Sequence, residues 1–198
     1  DVMTHITAYY ARQHGFPITR VLGSGTTLDT ARFRALLARH VNVAPKNVHC
    51  YVIGEHGDSE VLTWSLATIG LVPLDQYCER RGIPLDDSVR QYIDDRVRNA
   101  AYHIIAGKQA TYYGIGSALA KITDTILGDL RAILTVCTPQ ADIAGVSDVT
   151  VAMPHLVGAQ GVMDSFVLPL AESEFAALNR SALLIKQVIS DLESSGQL

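Results

Sequence analysis

The sequence Val21-Leu-Gly-Ser-Gly-Thr-Thr-Leu-Asp-Thr-Ala-Arg-Phe-Arg34 joins a Gly-Ser-Gly turn to the beginning of a helix. We predict a short strand over residues 20–25 and a helix over residues 28–41, entered through two threonines whose hydroxyls suit an N-cap. Asp29 and Arg32 are three residues apart, so they share one face of this helix. An ordinary surface ion pair is an alternative explanation of the same spacing.

A second informative stretch is the apolar strand predicted over residues 47–53, which ends at the loop Gly54-Glu-His-Gly-Asp58. The glycines beside His56 allow a sharp backbone turn and the close approach of a small substrate. Histidine exchanges protons near neutral pH, and an aspartate bonded to its Nδ1 would favour the protonated form. A histidine that merely caps the loop is the alternative. A zinc site with His49 and Cys50 is excluded, because adjacent strand residues face opposite sides.

The remaining chain alternates helices and strands. We predict a strand or hairpin arm over residues 61–71, although Trp64, Leu66 and Ala67 fit a helix almost as well. Elsewhere we predict helices over residues 1–14, 84–107, 111–127 and 172–192, and strands over residues 129–137, 149–157 and 162–168. This order predicts an α+β fold with antiparallel strands. Gly114 and Gly116 resemble part of a dinucleotide-binding fingerprint, but they follow a helix instead of a strand, so we assign them to helix packing.

The composition indicates a globular protein with a sizeable core, since 48% of the residues are hydrophobic and 18% are charged. The net charge of −4 gives no reason to expect nucleic-acid binding. No apolar run is long enough to span a membrane, and the first ten residues lack the features of a signal peptide. The three widely spaced cysteines indicate reduced thiols and a cytoplasmic protein.

Three segments together resemble the NAD-dependent L-lactate dehydrogenases of the lactate/malate dehydrogenase superfamily. They are residues 21–34, Val52-Ile-Gly-Glu-His-Gly-Asp-Ser-Glu60 and Lys108-Gln-Ala-Thr-Tyr-Tyr-Gly-Ile-Gly116. The resemblance covers essentially the whole chain, which corresponds to somewhat more than the C-terminal half of a family member. It implies the fold of the C-terminal domain of lactate dehydrogenase, with antiparallel strands and long helices.

The resemblance also implies a role for each polar residue, in an enzyme of glycolysis and fermentation. His56 would donate a proton to the carbonyl oxygen of pyruvate as hydride arrives from NADH, and Asp29 would hold the imidazolium. Arg32 would bind the substrate carboxylate with its two-pronged guanidinium, and Thr111 would line the pocket beside the substrate side chain. No metal ion is expected.

Several segments of the family would lie before Asp1, among them the glycine-rich cofactor loop and a mobile loop with an arginine. The residues that bind NAD are therefore not assigned in this chain. We expect a piece of a longer enzyme, in which residues 1–25 are the remnant helix and strand of a Rossmann domain and residues 26–198 are the substrate-binding and catalytic domain. We expect this piece alone to be inactive. A malate or other 2-hydroxyacid dehydrogenase, or a non-catalytic homologue acting as an oligomerisation domain, are the alternatives.

Two further residues match an allosteric site of bacterial members of the family. Arg34 is about 200° around the helix from Arg32, and His49 lies at the opposite end of the predicted strand from His56. In the lactate dehydrogenases that fructose 1,6-bisphosphate activates, the matching residues bind its phosphates across a subunit interface. The resemblance therefore implies an activator site in a homotetramer, and ordinary surface positions are the alternative.

Overall fold

The computed structural model describes residues 1–196, which form helices around small sheets. The helices are α1 (Val2–Gln13), α2 (Thr27–His40), α3 (Leu74–Arg81), α4 (Asp87–Arg98), α5 (Ala100–Lys108), α6 (Tyr113–Leu127) and α7 (Glu172–Ser194). The strands are β1 (Val48–His49), β2 (Val52–Ile53), β3 (Val61–Leu62), β4 (Thr68–Ile69), β5 (Val72–Pro73), β6 (Ala132–Ile143), β7 (Val146–Gly158) and β8 (Gly161–Ser165). All strand pairs in the described part of the chain are antiparallel, which confirms the predicted α+β class.

The largest sheet has the strand order β6-β7-β8. Strands β6 and β7 form a long hairpin, whose turn residues Ala144 and Gly145 both have positive φ angles, 53° and 83°. A pair of left-handed residues suits a tight hairpin turn, because its twist matches that of the strands. Helix α7 packs on β7, and α1 lies against β6, β7 and α7. Their shared core includes Val149, Val151 and Ile185, all buried.

A second core forms around α2, whose Phe33 and Leu37 are fully buried. Apolar residues of β1, β2, α3 and α4 complete this core. Two short sheets flank it, with the strand orders β1-β4-β5 and β2-β3. Helix α2 contacts both β2 and β6, so it lies between this second core and the largest sheet.

The prediction of one strand over residues 47–53 is wrong. Strand β1 pairs with β4, whereas β2 pairs with β3. Between them, the backbone N–H of Tyr51 donates to the side-chain Oγ1 of Thr63 at 3.0 Å. The carbonyl oxygen of Tyr51 accepts from the backbone N–H of Thr63 at 3.0 Å, so Tyr51 is tied to the β3 side while β1 pairs with β4. His49 and His56 therefore do not lie at the two ends of one strand.

Other boundaries also differ from the predictions. Residues 20–25 do not form the predicted strand. A 3-10 turn over Ile18–Arg20 is followed by a single β-bridge between Gly23 and Cys137. The helix predicted over residues 84–107 is interrupted at Asn99, which separates α4 from α5. Helix α3 is absent from the predictions, and residues 61–71 hold β3, a 3-10 turn and β4. Strands β6 and β7 are longer than predicted.

Cys50, Cys78 and Cys137 are all buried and free of disulfides. His49 is exposed while its neighbour Cys50 is buried, in agreement with the argument against a shared zinc site. Among residues 1–196, no helix has the length and apolar character that crossing a membrane requires.

Candidate active site

Threonine side chains hold the first turn of α2 against two sheets. Thr26 Oγ1 donates to the carbonyl oxygen of Val52 in β2. Thr30 Oγ1 accepts from the N–H of Val52 at 2.9 Å and lies 2.9 Å from Thr135 Oγ1 in β6. The predicted N-cap role of Thr26 and Thr27 is therefore wrong, because their hydroxyls donate to neighbouring strands instead of capping the helix. These bonds set the position of α2 relative to the loop after β2.

Asp29 and Arg32 form the ion pair that their spacing predicts. Arg32 Nη1 donates to Asp29 Oδ1 at 2.7 Å. The Asp29 side chain is only 3% exposed, while that of Arg32 is 18% exposed. The pair therefore has a buried anion and a guanidinium that still reaches the surface, which leaves part of the arginine fork able to contact a second anion.

The loop that carries His56 begins at Gly54, which has a φ of +90°. Gly54 exchanges two backbone hydrogen bonds of 2.8 Å with Ala152 of β7. A Cβ on Gly54 would lie 2.7 Å from Ser181 Oγ of α7. Glycine is thus required here for two reasons, a left-handed backbone and the close approach of α7.

Contacts from three other elements hold the loop. Ser181 Oγ accepts from the N–H of Glu55 at 2.8 Å. At the other end of the loop, Arg98 Nη1 of α4 donates to the carbonyl oxygens of Asp58 and Glu60, at 2.7 and 2.8 Å. The N–H of His56 itself donates to an Asp1 side-chain oxygen at 2.7 Å. The loop backbone is therefore positioned before any ligand binds.

The structure brings His56 to Asp29, as the resemblance implies. His56 Nδ1 lies 2.6 Å from Asp29 Oδ2, and the imidazole is 49% exposed. The hydrogen bond with Asp29 raises the pKa of His56 above its ordinary value, against the effect of burial. A histidine held at Nδ1 by a carboxylate presents Nε2 outward and favours the protonated form, which suits a proton donor.

Glu60 is a further charged residue at this site that the sequence reasoning did not single out. It is 4% exposed, and one oxygen or nitrogen of each of Asp29, His56 and Glu60 lies within 4.8 Å of the others. The signal that could have found it is a glutamate directly before the apolar pair Val61-Leu62, in the same loop as His56. Asp29 already contacts both Arg32 and His56, so we interpret this cluster as a site for protons and not for a metal ion.

Among the residues that the structure describes, the other predicted site residues make no hydrogen bond or ion pair with this cluster. Thr111 is half-buried in the connection between α5 and α6. The beginning of α6 packs on α2, since a Cβ on Gly114 would lie 3.2 Å from the Leu28 side chain. Arg34 Nε donates to the carbonyl oxygen of Cys50 at 3.0 Å. His49 is exposed on β1, opposite Thr68.

Arg34 also lines a cavity of about 240 Å³ between α2, α6 and β6. Its guanidinium lies 5.1 Å from the centroid of the Tyr51 ring, and Lys121 brings a second cation to the same cavity. The cavity is therefore cationic, and it lies on a different side of α2 from the Asp29–Arg32 pair.

Comparison with known proteins places the chain in a family. The family described as lactate/malate dehydrogenase, alpha/beta C-terminal domain, matches residues 26–195. The chain belongs to the lactate/malate dehydrogenase family. Curated relatives include the L-lactate dehydrogenases of Geotalea daltonii, 52% identical, and of Thermus aquaticus, 51% identical, each over 192 residues. Each comparison covers 97% of this chain and 61% of the relative, so the chain spans about three-fifths of the length of these relatives.

Solved structures of lactate dehydrogenases have the same fold as this family member. The minor L-lactate dehydrogenase from Enterococcus mundtii, in its ligand-bound form, superposes with a TM-score of 0.89 at 38% identity. A lactate dehydrogenase from a deep-sea metagenome library superposes with a TM-score of 0.91 at 34% identity. These comparisons cover 97% and 98% of this chain and 60% of each structure, and they confirm the predicted fold of a lactate dehydrogenase C-terminal domain.

Proposed function

We propose that this chain belongs to an L-lactate dehydrogenase, which interconverts pyruvate and L-lactate, and that it carries the substrate half of the active site. The observation that carries the proposal is the arrangement of Asp29, Arg32 and His56, with the carboxylate between the guanidinium and the imidazole. The names of the relatives support lactate over malate as the product.

In this proposal each residue has one task. Arg32 binds the carboxylate of the keto acid through its fork of donors, which a lysine cannot reproduce. His56 donates a proton from Nε2 to the carbonyl oxygen as that oxygen gains negative charge, and it takes the proton back in the reverse direction. Asp29 keeps the imidazole in the correct tautomer and stabilises its cation. Thr111 lines the pocket beside the methyl group of pyruvate.

The family implies NAD as the cofactor, which exchanges a hydride with the substrate when it is bound. The residues present are compatible with it, because His56 is half exposed and Arg32 reaches the surface on the same side of α2. Within this chain we assign no residue to cofactor binding. We infer that residues 1–25 belong to the cofactor domain and that residues 26–198 form the substrate domain of a cytoplasmic enzyme.

The test is the reduction of pyruvate by NADH in the whole protein, compared with the reduction of oxaloacetate. His56→Asn should lower kcat by roughly 10²–10⁴-fold or more, because proton transfer is lost. Arg32→Lys should raise KM for pyruvate more than it lowers kcat, since one point charge replaces a fork. Arg39→Lys, at an exposed arginine of the same helix, is the matched control and should behave as wild type. Preferred turnover of oxaloacetate, or normal kinetics of Arg32→Lys, would contradict the proposal.

We further propose that Arg34 and His49 bind fructose 1,6-bisphosphate where two subunits of a homotetramer meet. The cationic cavity beside Arg34 supports this, because a phosphate relieves the repulsion between clustered cations and so favours the assembled state. Pyruvate saturation and sedimentation of the whole protein, with and without the bisphosphate, test it. An enzyme whose KM and oligomeric state ignore the bisphosphate, or whose response survives in an Arg34→Gln, His49→Gln double variant, excludes this site.

A further inference from the structure

Glu60 is a buried carboxyl group to which the proposed reaction gives no task. It directly precedes β3 and is 4% exposed. Its Oε1 has no hydrogen-bond partner among the residues that the structure describes. An unpaired buried carboxylate is costly, so such a group favours the neutral, protonated form or contributes to a cluster that shares its charge.

The surroundings of Glu60 bring it into one electrostatic cluster with His56. Asp29 faces it from α2, and His56 faces it from the loop, with the ligand atoms of all three within 4.8 Å of one another. Helix α4 contributes one cation and one anion, Arg98 and Asp94, which also bind each other at 2.8 Å. Glu60 thus has two anions and two potential cations around it.

These neighbours move the titration of Glu60 into the range of histidine. Burial, followed by the negative charge of Asp29, raises the pKa of Glu60 to about 8, while Arg98 and His56 lower it. Reciprocally, the negative charge of Glu60 is among the factors that raise the pKa of His56. Two groups that interact in this way titrate as a coupled pair.

We propose that Glu60 is a positioning residue for His56. When the Glu60 carboxylate is ionised it stabilises the imidazolium of His56, and when Glu60 holds the proton the imidazole of His56 is neutral. The inference deepens the proposed function, on which it rests for its meaning in catalysis. Its consequence is that the imidazole stays charged, and able to donate a proton, to a higher pH than Asp29 alone would allow.

The experiment is an NMR titration of the His56 ring in the protein and in Glu60→Gln, which keeps the shape and removes the charge. We expect the midpoint of His56 to fall by about half a pH unit in the variant, the effect of one charge at 4.8 Å in water. The wild-type curve should also be broader than that of a single group. Glu55→Gln is the matched control, because the Glu55 carboxylate binds the N–H of Ser59 in the same loop and should leave the His56 midpoint in place. An unchanged or higher midpoint in Glu60→Gln overturns the inference.

A carbon NMR titration of the Glu60 carboxyl in the wild-type protein provides a second measurement that does not depend on the folding of the variant. A single midpoint in the ordinary range of glutamate overturns the inference, and a midpoint in the range of His56 supports it. Neither measurement requires turnover. Coupled titration without pyruvate reduction would therefore contradict the proposed function alone, whereas pyruvate reduction without coupling would contradict only the role of Glu60.

Discussion

Glu60→Gln should stabilise the folded protein by an amount that grows with pH. In the folded chain the pKa of Glu60 is about 8, against 4.5 for an ordinary glutamate. Between these two values the folded pair of Glu60 and His56 holds at least one more proton than the same two groups hold in the unfolded chain. The free energy of unfolding of the wild type therefore decreases as pH rises, by about 1.4 kcal/mol per pH unit for this group.

The variant lacks this dependence, so its advantage over the wild type should be about 3–4 kcal/mol larger at pH ~8 than at pH ~5. That is a large part of the stability of an ordinary domain. Any constant cost of burying the glutamine amide is the same at both pH values and cancels from the comparison. The assay is urea unfolding of both proteins at the two pH values, with the midpoint and slope measured for each.

Glu79→Gln is the control, because Glu79 is exposed on α3 and its surroundings change little on unfolding. Its difference from the wild type should be the same at both pH values. A Glu60→Gln variant whose stability differs from that of the wild type by an equal amount at the two pH values would contradict the raised pKa of Glu60. An advantage of the variant that shrinks as pH rises would contradict it as well.

Two further predictions concern other parts of the fold. Gly54→Ala should destabilise the protein by about 1–3 kcal/mol more than Gly82→Ala in thermal unfolding. Both glycines have positive φ, but only at Gly54 would a Cβ clash with Ser181. Equal losses of stability would contradict this. His155 is fully buried, and desolvation lowers its pKa to about 4. As pH falls from 6.5 toward 4, only the imidazole of the unfolded chain takes up a proton. The wild type should therefore lose stability over this range of pH. In urea unfolding, His155→Gln should abolish about 3 kcal/mol of this loss, and an unchanged acid sensitivity would exclude His155 as its source.

The regular periodicity of helices made part of the site predictable. The spacing of Asp29 and Arg32 places them on one helical face, and the structure pairs them. The same reasoning could not show the interruption at Asn99, because the apolar spacing of α4 continues into α5 and only the packing reveals the break. The single strand over residues 47–53 failed for a similar reason, since the pairing partners of a strand lie elsewhere in the chain.

By itself the sequence determined the antiparallel α+β class, the helix that carries Asp29 and the glycine-flanked loop that carries His56, because these depend on short-range spacing and turn chemistry. Burial is different, since it depends on which distant segments cover a residue. Glu60 looks like an ordinary polar residue before a strand, and it becomes a buried acid because Asp29, His56 and α4 enclose it. The distance of 2.6 Å between His56 and Asp29, and with it the raised pKa of the histidine, likewise exists only in the tertiary structure, because α2, β7 and α7 together position the loop.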